Sequence, residues 1–584
     1  MDNVEQLTEV RHKLFADQSL GAGNFFFKAL SAYPNRDADY IYLEKEFIAP
    51  NGKVYKSFSL NSLYEVVKSV AAWYQNYDIA PKSFVCVFVD DGIGTFIHFL
   101  ALNSLLLRPV LINRKINPSI LSQYAKKYEF SYLVTDSQTW SENIAKLENI
   151  KNINATFTAD VETEVGRLSE FWPYEHSNDD IVMVCHSSGT TGIPKAVTFG
   201  HKQFFDGKRE RLLSFIENKS DRLITAMPPT HAAGISYIMT ATMLQLPCMV
   251  MSNQLGEELS NAIKWFKPTV MTAFSQSYAS LASLKNLKPG DFASLERFYN
   301  TGDTAHQAHI RRLLELAPNA RFIDMFGSSE LGMSQFYKTT KHNTKSYPRT
   351  VGHVASFAEG AILSPQGDKL GYFEVGYIGV KSPTITPGYL DRPTLSSLSR
   401  LNGYWLTGDI GLQRDNGEFI HLDRITDTIN TPLSSPGYTL LIEEHILSNL
   451  DIEDVSVVGA NRGPTRQEST IIFVKESDIL EKQNVSLERI LEVALSCYPF
   501  AGIEILPDMS VGVCLLSSEN GIKLGATGKV IKHALKSDFW ENYERFLTNK
   551  SSVIKDIIWN KPSHVTQNYV ANQIPLVNYL KSQE

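Results

Sequence analysis

The sequence predicts an α/β fold, with a large N-terminal domain of βα-built sheets and a small α+β C-terminal domain. Short runs rich in β-branched and aromatic residues alternate with longer helical patterns, such as NPSILSQYAKKY after residue 116 and HQAHIRRLLEL after 305. The strand-like runs are SFVCVFV (83–89), RPVLIN (108–113), SYLVT (131–135), DIVMVC (180–185), LPCMVMS (246–252) and PTVMTAFS (268–275). This alternation is typical of buried, largely parallel sheets covered by helices.

The length of the chain and a change in its local composition predict the domain boundaries. A chain of 584 residues exceeds one ordinary hydrophobic core. Around residue 424 a stretch rich in Gly and Asp indicates a boundary or hinge. The runs VSVVGA, STIIFVKE and SLERILEVALSCY beyond it suffice for a small α+β unit. We therefore predict a large domain over 1–423, a small one over 424–540, and an extension of unknown role over 541–584.

Composition excludes several classes of partner. A net charge of −7 gives no basic excess for nucleic acid or anionic lipid. The N-terminus, MDNVEQLTEVRHKLF, lacks the features of a secretory signal, so we expect a cytoplasmic protein. The longest apolar run, FIHFLALNSLLL (96–107), is too short to cross a bilayer and predicts a buried helix. Five scattered cysteines without metal spacing predict reduced core thiols.

The stretch HSSGTTGIPK at 186–195 is a candidate phosphate-binding loop. Its glycines allow close backbone approach, and its hydroxyls and N–H groups can surround a triphosphate. A P-loop of the GxxxxGK[ST] type needs lysine directly after glycine, whereas Lys195 follows Pro194. A conventional P-loop ATPase is therefore disfavoured. Taken alone, the stretch also fits a flexible turn.

Four further motifs follow this loop in order: MFGSSELG (325–332), TGD (407–409), DRITDTI (423–429) and ATGK (526–529). Together with SSGTTGIPK they resemble the ordered motifs of the adenylate-forming superfamily. That superfamily includes acyl-CoA synthetases, nonribosomal peptide adenylation domains and luciferases. Five ordered motifs between residues 187 and 529 make the resemblance specific.

The resemblance implies a two-step reaction that uses ATP and Mg²⁺. A carboxylate and ATP first give acyl-AMP and pyrophosphate, and a pantetheine thiol then takes the acyl group. The resemblance also implies that the small C-terminal domain rotates between the two steps. The thiol belongs either to CoA or to a carrier protein. Because the chain shows no GxDS phosphopantetheine site, such a carrier would be a separate protein.

Three residues are the catalytic candidates. The first step brings two anions together, so positive groups must stabilise the α-phosphate. Lys529 matches the family lysine that bridges carboxylate and phosphate, and Glu330 matches the carboxylate associated with Mg²⁺. His231 matches the position beside the acid-binding tunnel. Without the resemblance, the three fit a surface lysine, a helix-start glutamate and a packed histidine.

The same resemblance implies a nucleotide site. Asp409 is expected to accept hydrogen bonds from the ribose, Arg424 to contact ribose or phosphate, and Phe326 to stack on adenine. A structural ion pair is the alternative for Asp409 and Arg424. The remaining candidates are Ser187, Ser188, Gly189, Thr190 (also a metal ligand), Thr191, Gly192, Lys195, Gly302, Asp303, Gly327 and Ser329.

The hinge and the lysine motif depart from the family pattern. Thr426 stands where the family usually has Asp or Lys, and about four extra residues separate Ile429 from Gly437. The proline that normally precedes the lysine motif is missing from KLGATGK. These departures leave the first step intact, and they leave open whether CoA or a carrier protein accepts the acyl group.

The residues expected to line the acid pocket favour a small acid. Met325 stands where relatives that take long or aromatic acids tend to have Gly or Ala, and Met333 follows Glu330 by three. Two flexible side chains there would shorten the tunnel, although core packing explains them nearly as well. Ala232 and Ala233 lie where an aspartate holds the amino group of amino-acid substrates, and Asp303 offers another carboxylate. A stand-alone glycine-activating enzyme, as in lipid A glycylation, fits this combination.

Two other functions stay open. A medium- or long-chain acyl-CoA ligase shares every nucleotide motif. A degenerate nucleotide-binding protein without activity would explain Thr426 and the insertion near the hinge. Retention of Glu330, Asp409, Arg424 and Lys529 argues against that second alternative.

Overall fold

The computed structural model describes most of the chain. It covers residues 3–90, 92–114, 116–136, 147, 150–187, 193–302, 305–342, 344, 349–430, 436–450, 452, 454–461, 468–476, 485–497, 510–517, 532–550 and 552–560. The predicted α/β fold is confirmed, since helices and strands alternate through the large N-terminal part.

The helices and strands have the following bounds. The helices are α1 (Asn3–Ala16), α2 (Phe25–Ala32), α3 (Leu60–Tyr74), α4 (Ile93–Ser104), α5 (Pro118–Lys127), α6 (Gln203–Arg209), α7 (Arg211–Ser214), α8 (Ala232–Leu244), α9 (Gly256–Phe266), α10 (Ser275–Ala282), α11 (Gln307–Leu316), α12 (Pro393–Leu398), α13 (Thr439–Asn449), α14 (Leu487–Cys497) and α15 (Lys532–Leu547). The strands are β1 (Ile41–Ile48), β2 (Val54–Phe58), β3 (Phe84–Phe88), β4 (Arg108–Leu111), β5 (Tyr132–Thr135), β6 (Lys151–Asn154), β7 (Ile181–Ser187), β8 (Lys195–Gly200), β9 (Leu223–Ala226), β10 (Cys248–Val250), β11 (Val270–Phe274), β12 (Arg297–Thr301), β13 (Arg321–Phe326), β14 (Phe336–Thr340), β15 (Thr350–Val354), β16 (Glu359–Leu363), β17 (Gly376–Lys381), β18 (Arg400–Leu401), β19 (Tyr404–Gln413), β20 (Phe419–Arg424), β21 (Ser456–Ala460), β22 (Ser469–Lys475), β23 (Val511–Leu516) and β24 (Ile554–Trp559).

The largest sheet holds the parallel strands that position the site. Its order is β16-β17-β19-β20-β15-β14-β13-β12-β11-β9-β10-β1-β2, with β18 paired to β19. Strands β10, β9, β11, β12 and β13 pair in parallel. From β13 onwards, through β14, β15, β20, β19, β17 and β16, the pairing is antiparallel. Strand β1 also pairs in parallel with β10, so six parallel strands present their carboxyl ends at one edge.

A second sheet, in the order β6-β5-β3-β4-β7-β8, supplies the other wall of the site. Its strands are parallel except for β8, which pairs antiparallel with β7 and places Ser187 opposite Lys195. The helix after β4 starts where its sequence indicates. Asn117 caps α5 by accepting a hydrogen bond from the Ser119 N–H, and Pro118 occupies the first turn.

Apolar helices fill the space around these sheets. The run at 96–107 forms most of α4, which is buried on all sides, as predicted. Among the described residues no helix is both long and apolar enough to span a bilayer. All five cysteines are buried and free, in agreement with their expected role as core thiols.

The C-terminal sheet has the order β21-β22-β23-β24. A hydrophobic core joins it to α13 and α14. Helix α15 crosses residue 540, where we predicted that the extension begins, and β24 pairs with β23. Part of that extension thus belongs to the small sheet, and the division of the chain into domains stays a prediction.

A buried ion pair anchors the start of β12. Arg297 is fully buried and binds the carboxylate of Asp221, which also accepts a 2.8 Å hydrogen bond from the Thr269 hydroxyl. Burial acts to raise the pKa of Asp221, but these hydrogen bonds and the guanidinium hold it below its ordinary value. The pair fixes the strand whose other end reaches the site.

We expect Asp221→Ala to destabilise the large N-terminal part by about 1.5–3 kcal/mol, because the buried guanidinium of Arg297 loses its buried carboxylate partner and keeps only the partly exposed Glu217, at 3.3 Å. The urea midpoint of unfolding measures this loss. The double variant Asp221→Ala/Arg297→Met should recover part of it, since no buried guanidinium then remains. An unchanged midpoint for Asp221→Ala would show that the pair does not anchor β12.

Candidate active site

The carboxyl ends of the parallel strands gather most of the predicted site residues. Strand β11 ends at Phe274, β12 leads into Gly302, and β13 ends at Phe326. His231 follows β9 and is the N-cap residue of α8. Gly302 has φ +89°, and a Cβ there would lie 2.9 Å from the Phe274 ring, so only glycine fits without strain.

The predicted adenosine side consists of Phe326, Asp409 and one further residue, His421. The Phe326 ring centroid lies 5.1 Å from that of His421. Nε2 of His421 lies 3.3 Å from Oδ1 of Asp409, and Nε of Arg424 lies 3.6 Å from the same oxygen. Strands β19 and β20 bring these groups together by pairing Asp409 with Arg424.

The neighbours of His421 define its tautomer. A guanidinium nitrogen of Arg349 donates to Nδ1 of His421 over 2.9 Å. Because guanidinium only donates, Nδ1 is the acceptor and the proton lies on Nε2, facing Asp409. Burial acts to raise the pKa of Asp409, but His421, Arg424 and Thr407 bring it below its ordinary value. Asp409 is thus held as a carboxylate, the form that accepts hydrogen bonds from hydroxyls.

The structure brings the predicted phosphate-side residues Lys195 and Glu330 to Tyr389, which the motifs do not name. Glu330 and Ser329 lie in a short 3-10 turn (Ser329–Leu331), and Gly327 lies between β13 and this turn. The Tyr389 hydroxyl donates to Oε1 of Glu330 over 2.9 Å, and Nζ of Lys195 lies 5.0 Å from the Tyr389 ring centroid. Ammonium and carboxylate therefore flank one phenol ring.

The donor set around Glu330 fits Mg²⁺. Magnesium in nucleotide sites is usually held by one or two carboxylates, with phosphate oxygens and water completing its coordination. Glu330 is partly exposed and supplies such a carboxylate. The described part of the chain contains no cluster of three or more His, Cys, Asp or Glu side chains suited to a metal. A metal at Glu330 would therefore depend on ligands from the phosphates.

The predicted acid side is built around His231. The Nδ2 of Asn113 lies 3.3 Å from Nε2 of His231, whose ring meets Phe274 edge-on at 5.1 Å. His186, directly before Ser187, accepts a 3.1 Å hydrogen bond from the Asn113 N–H. Burial lowers the pKa of His186 to about 4, so it is neutral at physiological pH.

The two predicted pocket methionines point to different neighbours. Met325 is 5% exposed, and its sulfur lies 3.8 Å from the hydroxyl of Tyr237 on α8. Met333 packs elsewhere, since a Cβ on Gly207 of α6 would come within 2.9 Å of its sulfur. Ala232 and Ala233 are half-buried at the start of α8. Met325 and Tyr237 therefore connect β13 with α8 through a direct side-chain contact.

Seven predicted residues lie outside the described residues: Ser188, Gly189, Thr190, Thr191, Gly192, Asp303 and Lys529. Their assignments stay predictions. The nearest described lysine after Lys529 is Lys532, whose Nζ lies 2.7 Å from a carboxylate oxygen of Glu443 and 2.9 Å from Oγ1 of Thr439. The Thr439 N–H in turn donates to Asp423, beside Arg424.

The motifs do not single out His421, Tyr389 or Tyr237, although each contacts a predicted site residue. One signal was available for His421, a polar residue in the apolar strand run FIHLDR, and buried polar residues need partners. The other two lie on elements whose proximity to the site only the fold reveals.

Comparisons with known proteins identify the family of the chain. The family of AMP-binding enzymes matches residues 28–390. A 3-aminoavenalumate diazotase from Streptomyces sp. is 31% identical over 467 residues, covering 77% of this chain and 82% of its own. A 2-succinylbenzoate–CoA ligase of Geobacillus sp. is 24% identical over 435 residues (74% and 84%). The 4-coumarate–CoA ligase 1 of Arabidopsis thaliana is 24% identical over 469 residues (74% and 80%).

Solved structures share the fold. The O-succinylbenzoate CoA synthetase of Bacillus subtilis, in complex with ATP and magnesium, aligns with a TM-score of 0.71 at 17% identity, covering 88% of this chain and 99% of its own. An amide bond synthetase from Marinactinospora thermotolerans gives 0.72 at 16% identity (89% and 99%).

Fold and matches together define an adenylate-forming, ATP-using enzyme. The chain belongs to the family of AMP-binding enzymes and is an AMP-forming ligase.

We expect Asp409→Asn to weaken AMP binding about tenfold or more, because hydrogen bonds to a charged group contribute about 1.5–3 kcal/mol. Calorimetry with AMP and 2′-deoxy-AMP measures the effect, and the variant should discriminate less between the two ligands. Asp415→Asn, in the exposed turn between the same strands, is the matched control. If Asp409→Asn distinguished AMP from 2′-deoxy-AMP as strongly as Asp415→Asn does, the ribose would bind elsewhere.

Proposed function

We propose that this enzyme adenylates a small acid, of the size of glycine or acetate, and then transfers the acyl group to a pantetheine thiol with release of AMP. The observation that supports the size limit is the contact between the buried side chains of Tyr237 and Met325, both at positions expected to border the acid pocket. Arg211 lies behind this contact, with its guanidinium 4.4 Å from the Tyr237 ring centroid and a 2.7 Å hydrogen bond to Ser236. The wall is therefore supported from outside as well.

The proposed first step assigns a task to each part of the site. Phe326 and Asp409 bind adenosine, and Lys195 binds the phosphates that leave as pyrophosphate. Glu330 holds Mg²⁺, which neutralises phosphate charge when it is bound. Lys529 bridges the carboxylate and the α-phosphate, so that the two anions can approach. His231 and Asn113 border the reacting carboxylate.

CoA is the acceptor that the relatives favour. Two of the three relatives described above are named CoA ligases, and each covers more than 70% of this chain. A separate carrier protein offers the same pantetheine thiol and stays the alternative acceptor. Thr426 and the longer connection between Ile429 and Gly437 fall in the element about which the acceptor step is proposed to rearrange.

A second candidate function follows from the diazotase, which at 31% identity is nearer than the ligases at 24%. Making a diazonium group from an arylamine requires nitrogen from nitrous acid, whose hydroxyl is a poor leaving group. Adenylation of nitrite would give a nitrosyl adenylate, and attack by the amine would release AMP. Loss of hydroxide from the resulting nitrosamine tautomer then yields the diazonium. Nitrite has only three atoms, so it fits the small acid pocket that we propose.

We expect acid-dependent ATP–pyrophosphate exchange only with small acids. The panel contains glycine, alanine, acetate, nitrite, octanoate and palmitate. Exchange with glycine or acetate supports the first proposal. Exchange with nitrite, together with AMP release that needs an aminoaryl acid, supports the second. Exchange with palmitate would overturn the size limit, and exchange with no acid would contradict both proposals.

Lys529→Ala should abolish exchange with the active acid, because the two anions then meet without a bridging cation. Calorimetry should show ATP affinity within about threefold of the parent, since the proposed contacts of Phe326, Asp409 and Lys195 with ATP are kept. Lys550→Ala, in an exposed position after α15, is the control. Full activity of Lys529→Ala would remove this lysine from the mechanism.

We expect Tyr237→Ser/Met325→Gly to accept longer acids, because it removes both side chains that close the pocket. The ratio of kcat/KM for octanoate to that for the native small acid should rise at least tenfold, since about two buried methylenes of new contact contribute roughly 1.6 kcal/mol. Met333→Gly, which opens space on the α6 side, should leave the ratio unchanged. If the parent, the double variant and Met333→Gly all gave the same kcat/KM ratio, Tyr237 and Met325 would not limit the length of the acid.

A further inference from the structure

Tyr389 lies between the two charged groups of the phosphate side. It is 7% exposed, its ring packs 5.8 Å from that of Trp405, and its hydroxyl points to Glu330. The phenol is therefore the donor of this hydrogen bond, and the carboxylate of Glu330 is the acceptor.

The backbone around Tyr389 is attached to both sides of the site. The backbone concerned is that of residues 384–390. On the β8 side, the Leu390 N–H donates to the Ala196 carbonyl over 2.9 Å. On the opposite side, the Thr386 N–H donates to the Glu330 carbonyl over 2.8 Å, and the Thr384 hydroxyl donates to the Leu331 carbonyl over 2.7 Å. Tyr389 thus has a fixed position relative to both Lys195 and Glu330.

This arrangement addresses a difficulty of any site that binds a metal and phosphates together. A lysine and a glutamate on facing elements attract each other, and a direct ion pair would compete with the ligand. Among the described residues no ion pair joins Lys195 to Glu330. Instead the ammonium lies near the face of the Tyr389 ring, and the carboxylate accepts its hydroxyl proton.

We infer that Tyr389 is a positioning residue for the metal–phosphate complex. Its ring holds Lys195 and its hydroxyl orients Glu330, so that both charges stay apart and face the incoming MgATP. The inference rests on the proposed function in one respect, the assignment of Glu330 to Mg²⁺ and of Lys195 to phosphate. It does not depend on which acid is activated.

The test compares Tyr389→Phe and Tyr389→Leu with a matched control. Tyr404→Phe is the control, because the Tyr404 hydroxyl also donates to a carboxylate, that of Glu359, and a lysine, Lys381, lies 4.0 Å from its ring centroid. Calorimetry gives the dissociation constant of ATP at a series of Mg²⁺ concentrations and without metal. AMP binding and thermal unfolding report whether each variant keeps its fold.

Tyr389→Phe should lower the gain in ATP affinity caused by Mg²⁺ by about tenfold, because Glu330 loses its charge-assisted hydrogen bond. Its affinity for ATP without metal should stay within twofold, since the ring remains under Lys195. Tyr389→Leu should also lose about threefold in metal-free ATP affinity. AMP binding should be unchanged in both variants, and Tyr404→Phe should match the parent.

A double variant separates positioning from mere packing. In a Glu330→Gln background, Tyr389→Phe should have no further effect on the Mg²⁺ dependence, because the two changes act through one carboxylate. An undiminished Mg²⁺ gain in Tyr389→Phe, or additive effects in the double variant, would overturn the inference. Absence of any Mg²⁺ effect on ATP binding in the parent protein would instead contradict the proposed metal role of Glu330.

Discussion

The site depends on the parallel alignment of β10, β9, β11, β12 and β13. Because all five strands run the same way, every residue that follows a strand end lies at the same edge. His231, Gly302 and Phe326 are distant in sequence and become neighbours for this reason alone. The buried Arg297–Asp221 pair holds the opposite end of β12, so an electrostatic contact far from the site fixes where the site edge lies.

The antiparallel strands β19 and β20 supply site residues that the parallel strands do not. Pairing of β19 with β20 places Asp409 beside Arg424, and His421 approaches them from the same strand pair. Asp423, next to Arg424, binds the first N–H of α13, and Lys532 joins that helix to the start of α15. Arg424 of the hinge element thus contacts the proposed ribose carboxylate, and Asp423 is linked to Lys532 through Thr439.

The sequence predicted the fold class and most elements, because apolar periodicity and β-branched runs are local signals. The motifs also name charged candidates for the site, since the residues of each motif are close in sequence, and the roles of these candidates stay predictions. The sequence did not identify Tyr389 and Tyr237 as site residues. Tyr389 lies 59 residues after Glu330 in the chain, and no local sequence pattern predicts the hydrogen bond between them. Tyr237 reads as one more apolar position of a buried helix until the fold sets it against Met325.

The difference between a CoA ligase and a diazotase need not involve the nucleotide side of such a site. In either reaction an anionic oxygen attacks the α-phosphate and pyrophosphate leaves, so Glu330, Asp409 and Lys529 would have the same tasks. In our proposal the acid is selected where Tyr237 and Met325 meet, and neither side chain contacts Lys195, Tyr389 or Glu330. A change of acid would then need a change in this one contact, while the electrostatic arrangement around Lys195, Tyr389 and Glu330 is kept.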